Sequence, residues 1–295
     1  MMKAVVMGDL AIDMVATVTQ RIMRRRNILL ENPVVVEAGV AGNIAWYLAQ
    51  LGVEAHVVGT VGDDPWGIKL KEGLDRAHVR TELVRTSKKP TGFFVVLVDK
   101  SGERTMIGSR GANTELMVKA DEILKVNPGW IHVSGYSLLN KTYREILGAA
   151  RKASKELSVP LSTDLEAVSA DGRRINLEGT VAFCNKDEFR DYFGAPPQII
   201  ARRMRQRVVV KAGRDGCYLI SSGGLIHFPS VAKSVVDTTG AGDAFNAGFI
   251  ASVLSGNDES TACKWANAVA GLKVMYMHAR AKLPRRRLAA LLFKC

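Results

Sequence analysis

Short, continuously apolar β runs alternate with longer helical segments along most of this 295-residue chain, and that alternation restricts the fold more than any other feature. The run Ala4-Val5-Val6-Met7-Gly8 has no polar alternation, so both of its faces must be buried, as in a central strand of a parallel sheet. Residues 43–50 then read as a helix, with Gly52 where it would stop. Residues 55–59 read as the next strand, before a turn at 62–65. After a strand at 131–133, Thr142 and Glu145 have the spacing of a capping box. Tyr143, Ile146, Leu147, Ala150, Ala153 and Leu157 follow at helical intervals and give that helix one apolar face. Further strands are predicted at 159–163, 181–184, 208–211 and 217–220. The pattern predicts an α/β fold, a mostly parallel sheet covered by helices on both faces.

Two stretches break the rhythm. Residues 15–37 mix β-branched side chains with charges. Phe93-Phe94-Val95-Val96-Leu97-Val98, a turn at 99–102 and the run 103–107 read as a hairpin. Two β segments inserted at separate points, about 14–38 and 91–110, predict one small accessory sheet that sits over the mouth of a single domain, 1–295, as a lid.

Composition excludes several classes. No run of eighteen apolar residues exists, so no membrane span is predicted, and the start lacks the three parts of a signal peptide. Cys184, Cys217, Cys263 and Cys295 are too far apart for a metal cluster or a disulfide framework, which predicts reduced thiols and a cytoplasmic location. The net charge of +12 raises the question of nucleic acid. Its excess is concentrated at 21–26, 202–207 and 285–287, without interleaved aromatics, so solvated surface is the simpler reading. No Gly-x-Gly-x-x-Gly follows the first strand, as a dinucleotide-dependent oxidoreductase would require.

The chemistry is concentrated in Val236-Asp237-Thr238-Thr239-Gly240-Ala241-Gly242-Asp243-Ala244-Phe245. Small residues form a tight turn that opens a helix running to about Ser255. The first amides of a helix have no internal partner, and its dipole favours anions there. Gly240 and Gly242 let an anionic oxygen approach the backbone. Asp243 is the odd residue out, because a carboxylate among such amides repels a phosphate unless its task is to take a proton. Amides that stabilise a moving phosphoryl group beside a base for the attacking hydroxyl suit phosphoryl transfer. The alternative for Asp243 is an ordinary first-turn carboxylate.

This stretch closely resembles the C-terminal signature of the ribokinase (PfkB-type) family of carbohydrate and nucleoside kinases, and the resemblance extends over essentially the whole chain. It implies a three-layer sandwich with a small β-sheet lid, ATP as phosphate donor and Mg²⁺ as its companion ion. Gly8-Asp9-Leu10-Ala11-Ile12-Asp13 matches the family's first strand and assigns Asp13 to the acceptor hydroxyls; a turn residue is the alternative. Gly39-Val40-Ala41-Gly42-Asn43 matches the glycine-rich N-terminal signature and assigns Gly39 and Asn43 to the substrate, with Asn43 as a plain helix cap the alternative. That signature does not match the phosphofructokinase branch, which argues against a phosphorylated sugar as acceptor. The segment 58–67 matches a stretch that shapes a turn. Arg110 is either a residue that reaches the closed site or a solvated lid arginine.

Asn185-Lys186-Asp187-Glu188 corresponds to the family's Asn-x-x-Glu motif. The resemblance assigns Asn185 to the nucleotide phosphates and Glu188 to Mg²⁺ through water, although the same spacing is also a capping box. Asp164 is a weaker candidate for that pocket. Lys211, Gly213 and Gly216 match a strand-end turn against ATP. Asn267 matches an asparagine near the adenine, or is helix surface. In ribokinases a monovalent cation such as K⁺ is held partly by the segment matching Asp237 and Thr239. Here His278-Ala279-Arg280-Ala281 replaces the usual Gly-Ala pair, and Arg280 is the candidate to supply the ion's charge. The expected reaction transfers the γ-phosphoryl group of ATP to a hydroxyl of a sugar or sugar-like acceptor. A nucleoside acceptor and a non-catalytic binding protein are the alternatives, and lids of this kind often pair into a homodimer.

Overall fold

The computed structural model describes residues 2–18, 27, 29–99, 104–222 and 224–292. The arginine cluster at 21–26, the hairpin tip at 100–103 and Cys295 lie outside the described residues. The strands are β1 (Lys3–Met7), β2 (Ala11–Thr17), β3 (Glu31–Ala38), β4 (Glu54–Gly62), β5 (Val84–Ser87), β6 (Gly92–Val98), β7 (Arg104–Ser109), β8 (Trp130–Val133), β9 (Leu161–Asp164), β10 (Thr180–Asn185), β11 (Arg207–Lys211), β12 (Cys217–Ser221) and β13 (Gly224–Phe228). The helices are α1 (Val40–Gln50), α2 (Pro65–Arg76), α3 (Ala120–Val126), α4 (Tyr143–Leu157), α5 (Glu166–Ala170), α6 (Lys186–Phe193), α7 (Pro197–Ile200), α8 (Ala241–Leu254), α9 (Glu259–Lys273) and α10 (Arg285–Leu292).

Among the described residues the main sheet has the order β13-β12-β11-β10-β9-β8-β1-β4-β5. It is parallel from β11 through β5, and the two antiparallel pairings are at one edge, where β12 runs against both β11 and β13. Alternate residues feed two cores, so the strands are apolar on both faces. Ala4 and Val6 enter the core under α1, α8 and α9, while Val5 and Met7 enter the core under α3 and α4. In β11, Val209 faces the first core and Val208 and Val210 the second. Helix α8 is buried nearly all round, and its small residues permit this: a Cβ on Gly248 would touch the Ala266 Cα of α9 at 3.0 Å. Phe249 anchors it edge-on to Trp130 and Phe183, with ring centroids 6.2 and 5.3 Å away.

The second sheet has the order β3-β2-β6-β7. Two hairpins separated by half the N-terminal region are joined by parallel pairing of β2 with β6. Its base is pinned to the main body. Asp64 accepts from the Thr91 amide and hydroxyl at 2.7 Å each, and Asn113 bonds both backbone groups of Leu10 at 2.9 and 2.8 Å. The segment expected only to shape a turn therefore also holds β6 in place. The same Asp64 caps α2 through the Gly67 amide.

The α/β class with a mostly parallel sheet and a separate small sheet is as expected. One local expectation fails, and two edge strands, β5 and β13, lie outside the strands that the sequence predicts. Thr142 precedes α4 but makes no capping bond; its hydroxyl turns to the Leu116 carbonyl at 3.4 Å instead. Strands β5 and β13 carry no strong apolar run, and each is only partly buried at a sheet edge. Among the described residues no helix is long and apolar enough to cross a membrane. Arg202, Arg203, Arg205 and Arg285–Arg287 are exposed, as a solvated surface requires.

Candidate active site

Ligands of open α/β sheets sit outside the carboxyl ends of the strands, and the chemically distinctive residues of this chain are placed there. Asp9 follows β1, Asp164 ends β9, Asn185 ends β10 and Lys211 ends β11. Helix α8 begins in the same region. A 750 Å³ cavity lined by Ala49, Glu54, His78 and Glu82 lies at the opposite, amino end of β4 and contains none of these groups.

Gly240 caps α8 in the left-handed conformation, φ +73°, and a Cβ there would stand 2.5 Å from the Ala279 carbonyl oxygen. Only glycine satisfies both demands. The Ala241 amide donates to the Thr238 carbonyl at 3.1 Å, so the expectation that it faces an incoming anion is corrected. The amides of Gly242 and Asp243 remain at the helix start, and among the described residues no side chain caps them. Gly240→Ala is expected to lower kcat about 10²-fold, because a shift of the turn by about an ångström misplaces the reacting groups by as much. Steady-state kinetics with a thermal melt would separate this from unfolding.

Asp243 lies half-buried in the first turn of α8, and its Oδ2 accepts from Asn43 Nδ2 at 2.8 Å. Burial pushes its carboxyl up to about 6, against the Asn43 bond; Asp164 adds to the rise and Lys211 opposes it. Asn43 is buried in the first turn of α1 and is not its cap, which is Gly39 at φ +92°. Gly39 packs directly on the backbone of Asp9 and Ala11, where any Cβ would collide. Asp13 lies inside β2, not at the end of the first strand, because the chain crosses between sheets after Gly8. Burial raises its carboxyl to about 6, Arg280 counteracts this and Asp243 reinforces it. The structure thus brings Asp13, Asn43 and Asp243 into one electrostatic neighbourhood from three distant segments.

Two arginines border it. Arg110 is no solvated arginine: it grips both oxygens of Asp9 at 2.7 Å and reaches Asn140 Oδ1 at 2.8 Å. Arg280 donates to Asn43 Oδ1 at 3.0 Å, Glu37 Oε2 at 3.0 Å and the Ala38 carbonyl at 2.9 Å. The expectation that Arg280 stands beside Asp237 is therefore overturned, since its side chain is drawn to Glu37 at the base of the small sheet. Asp9, Glu37 and Asn140 were missed because their partners lie far along the chain; only the proximity of Asp9 to Asp13 in one strand-end run hinted at it.

On the other side of α8, Lys211 Nζ pairs with Asp164 Oδ1 at 3.0 Å and would lie 3.4 Å from a Cβ on Gly242. Asp164 is 1% exposed; its other oxygen accepts from Asn246 at 2.8 Å and faces His132 Nε2 at 3.2 Å. Burial alone would raise Asp164, but Lys211 and then His132 hold it well below the usual carboxylate range. Burial works against the Lys211 ammonium, yet Asp164, Glu188 and Glu166 hold its pKa above that of an ordinary lysine.

Asn185 and Glu188 form the capping box of α6, with bonds of 2.6–2.9 Å in both directions. Burial raises Glu188, Lys211 opposes this, and Asp164 adds to it. Glu166, which sequence reasoning did not single out, has a buried Oε1 without a hydrogen-bond partner. Burial and Asp164 push it well above the ordinary range. Gly213 (φ +59°) and Gly216 (φ +90°) turn the chain between β11 and β12. Asn267 is not helix surface: it is buried, and its amide donates to the carbonyls of Phe228 and Pro229 at 3.0 and 3.2 Å, tying α9 to the end of β13. Asp237 accepts from the Thr239 amide and hydroxyl at 2.8 and 2.6 Å, and from the His278 amide at 2.8 Å.

The profile of the pfkB family of carbohydrate kinases matches residues 1–286. The chain is 31% identical over 245 residues to an ATP-dependent ribose-1-phosphate kinase of Halopiger xanaduensis, covering 79% of each chain. It is 25% identical over 293 residues to the ribokinase of Bacillus subtilis, covering 95% of this chain and 96% of that one. Among solved structures, Arabidopsis thaliana ribokinase complexed with ribose and ATP superimposes with a TM-score of 0.83 at 26% identity, over 99% of this chain and 98% of that one.

Proposed function

This chain belongs to the pfkB family of carbohydrate kinases, and from that premise we propose that it transfers the γ-phosphoryl group of ATP to a hydroxyl of a sugar or sugar-like acceptor, with Asp243 as the base. The observation that carries this reading is the Asp243 carboxylate in the first turn of α8, bonded to Asn43 on the acceptor side and flanked by uncapped helix amides. In the proposed step the acceptor oxygen forms a bond to the γ-phosphorus while the bond from that phosphorus to the bridging oxygen of ADP breaks. The hydroxyl proton passes to Asp243. The Gly242 and Asp243 amides and the Lys211 ammonium oppose the charge that spreads over the equatorial oxygens. Asp13 and Asn43 orient the acceptor, and Gly213, Gly216, Asn185 and Asn267 belong to the nucleotide side. Closure of the small sheet, which carries Asp13 on β2, over the start of α8 excludes water, which would otherwise compete as acceptor.

The residues present fit Mg²⁺. Asp164, Asp243 and Glu188 raise the proton affinity of Glu166, Asp164 raises that of Glu188, and the orphaned Glu166 oxygen adds an unused ligand atom. Mg²⁺ keeps most of its water and needs only one or two carboxylates beside the nucleotide phosphates. Glu188 and Glu166 would hold it there, and its charge would neutralise the phosphate oxygens. The free, buried thiols of Cys184, Cys217 and Cys263 suit a reducing cytoplasm. The exposed Val34, Met106 and Ile107 of the small sheet suit pairing of two lids in a homodimer.

Because Asp243 must be ionised to accept the proton, kcat/KM is expected to fall tenfold per pH unit on the acid side of a midpoint near 6. Burial also raises Asp13 to about 6, with Asp243 adding to the rise, so protonation of Asp13 contributes to the same limb. The direct test of the reaction is ADP release from ATP and Mg²⁺ with free sugars, sugar acids, cyclitols, nucleosides and ribose 1-phosphate. The phosphorylated sugar is included because the Halopiger relative carries its name. Acceptor-dependent ADP release with at least one class is expected; ATP that fails to bind at all would remove the kinase reading.

A further inference from the structure

Family resemblance implies a monovalent cation beside Asp237, and the residues present do not fit one. The Lys273 side chain, 0% exposed at the C-terminal end of α9, already directs an ammonium group into that place. Its Nζ donates to the Asp237 carbonyl at 2.8 Å and the Tyr276 carbonyl at 3.3 Å, and it stands 4.0 Å from Asp237 Oδ2. These oxygens, two carbonyls and a carboxylate, are the donor set that a bare monovalent cation takes. The C-terminal dipole of α9 adds to the attraction for positive charge. Apart from Asn267, whose amide is satisfied by two carbonyls, the rest of the buried face of α9 is apolar, with Ala262, Cys263, Ala266, Val269 and Leu272. A lysine among them is costly unless its charge is used, because a buried ammonium loses its hydration.

We propose that Lys273 is this enzyme's built-in monovalent cation, fixing the loop that carries the anion hole and making the enzyme independent of added K⁺. The loop leads directly into the site. Asp237 holds the Thr239 amide and hydroxyl through one oxygen and the His278 amide through the other. Val236 and Asp237 both donate to the Val274 carbonyl, the residue after Lys273, at 2.7 and 3.1 Å. Gly240, three residues on, caps α8. Lys273 is thus a positioning residue: it neutralises Asp237 from behind the loop and contacts neither acceptor nor nucleotide.

The inference rests on the kinase reading only for the nucleotide readout, so two measurements are paired. Binding of ADP with Mg²⁺ by calorimetry, and melting temperature without nucleotide, are followed in chlorides of K⁺, Na⁺, Cs⁺ and tetramethylammonium at one ionic strength. Wild type is expected to show the same affinity and melting temperature in all four. Lys273→Ala leaves the oxygens in place and opens a cation-sized space. Its ADP affinity in tetramethylammonium should be low, and K⁺ should recover it about fivefold or more, within the range of site-to-site couplings. Lys273→Met fills the space without charge and should not recover. A wild type that gains about fivefold or more in K⁺ would overturn the proposal, even if the variants do not fold. So would an alanine variant as indifferent to salt as the methionine one, which would leave Lys273 a purely structural residue. A wild type that binds no ADP in any salt removes the kinase reading instead, and the melting series still decides on Lys273.

Discussion

Asp243→Asn is expected to lower kcat by about 10²- to 10⁴-fold, the range of a lost general base, while the protein becomes more stable above pH 6. Both effects come from one cause. Burial raises the folded-state carboxyl to about 6, above its ordinary value of 3.8, so the folded protein binds this proton more tightly than the unfolded chain. The ionised carboxylate therefore opposes folding, increasingly as pH rises from about 4 and fully above about 6. Asparagine is nearly isosteric, still accepts from Asn43 and carries no charge to desolvate. Loss of activity with a raised melting temperature at pH 8 and an unchanged one at pH 4 is the expected result. Turnover unchanged by the substitution would remove Asp243 as the base. A lowered melting temperature at pH 8 would show that the carboxylate serves the fold.

Lys211→Met is expected to cost about 3–5 kcal/mol of unfolding free energy at pH 8, because it leaves Asp164 charged and buried with one ion-pair partner removed. In wild type the low pKa of Asp164 gives stability that is present above its unfolded value and is lost only as pH falls through the folded one. Without the ammonium, burial dominates and the sign reverses: Asp164 takes a proton in the folded state, and the deficit shrinks toward pH 5. Urea unfolding at both pH values measures this. The double variant Asp164→Asn/Lys211→Met should recover part of the loss, since it removes both members of the buried pair. Additive single effects, or a deficit that does not change with pH, would mean that the two side chains do not depend on each other. The same lysine borders Gly242, so weaker nucleotide binding in Lys211→Met is part of the expectation.

Local chemistry made much of this legible beforehand. The turn Gly240-Ala241-Gly242-Asp243 reads as an anion site because positive φ, a helix start and small residues are all encoded within a few positions. The capping box of Asn185 and Glu188 is local for the same reason and forms as its spacing predicts. The capping box at Thr142 has the same spacing and does not form, because a hydroxyl can turn to whichever carbonyl the fold brings near, here that of Leu116. The Ala241 amide shows the limit at finer scale: one backbone rotation turns it to Thr238 instead of the cleft.

Sequence by itself determined the layered α/β architecture, the separate small sheet and the position of Asp243. Each follows from apolar periodicity or turn chemistry over a few consecutive residues. Only the tertiary structure decided which charges meet. Asp9 finds Arg110 at a separation of 101 residues, Asn43 finds Asp243 across 200, and Arg280 finds Glu37 across 243. Arg280 and Lys273 make the point most plainly, being seven positions apart near the C-terminus. Both are cations, and the pattern of the chain does not say which would stand beside Asp237. The reach of each side chain and the carbonyls at the end of α9 decide it: Lys273 is turned inward and Arg280 toward the small sheet. Electrostatic partners are chosen by distance in space, and periodicity along the chain does not encode that distance.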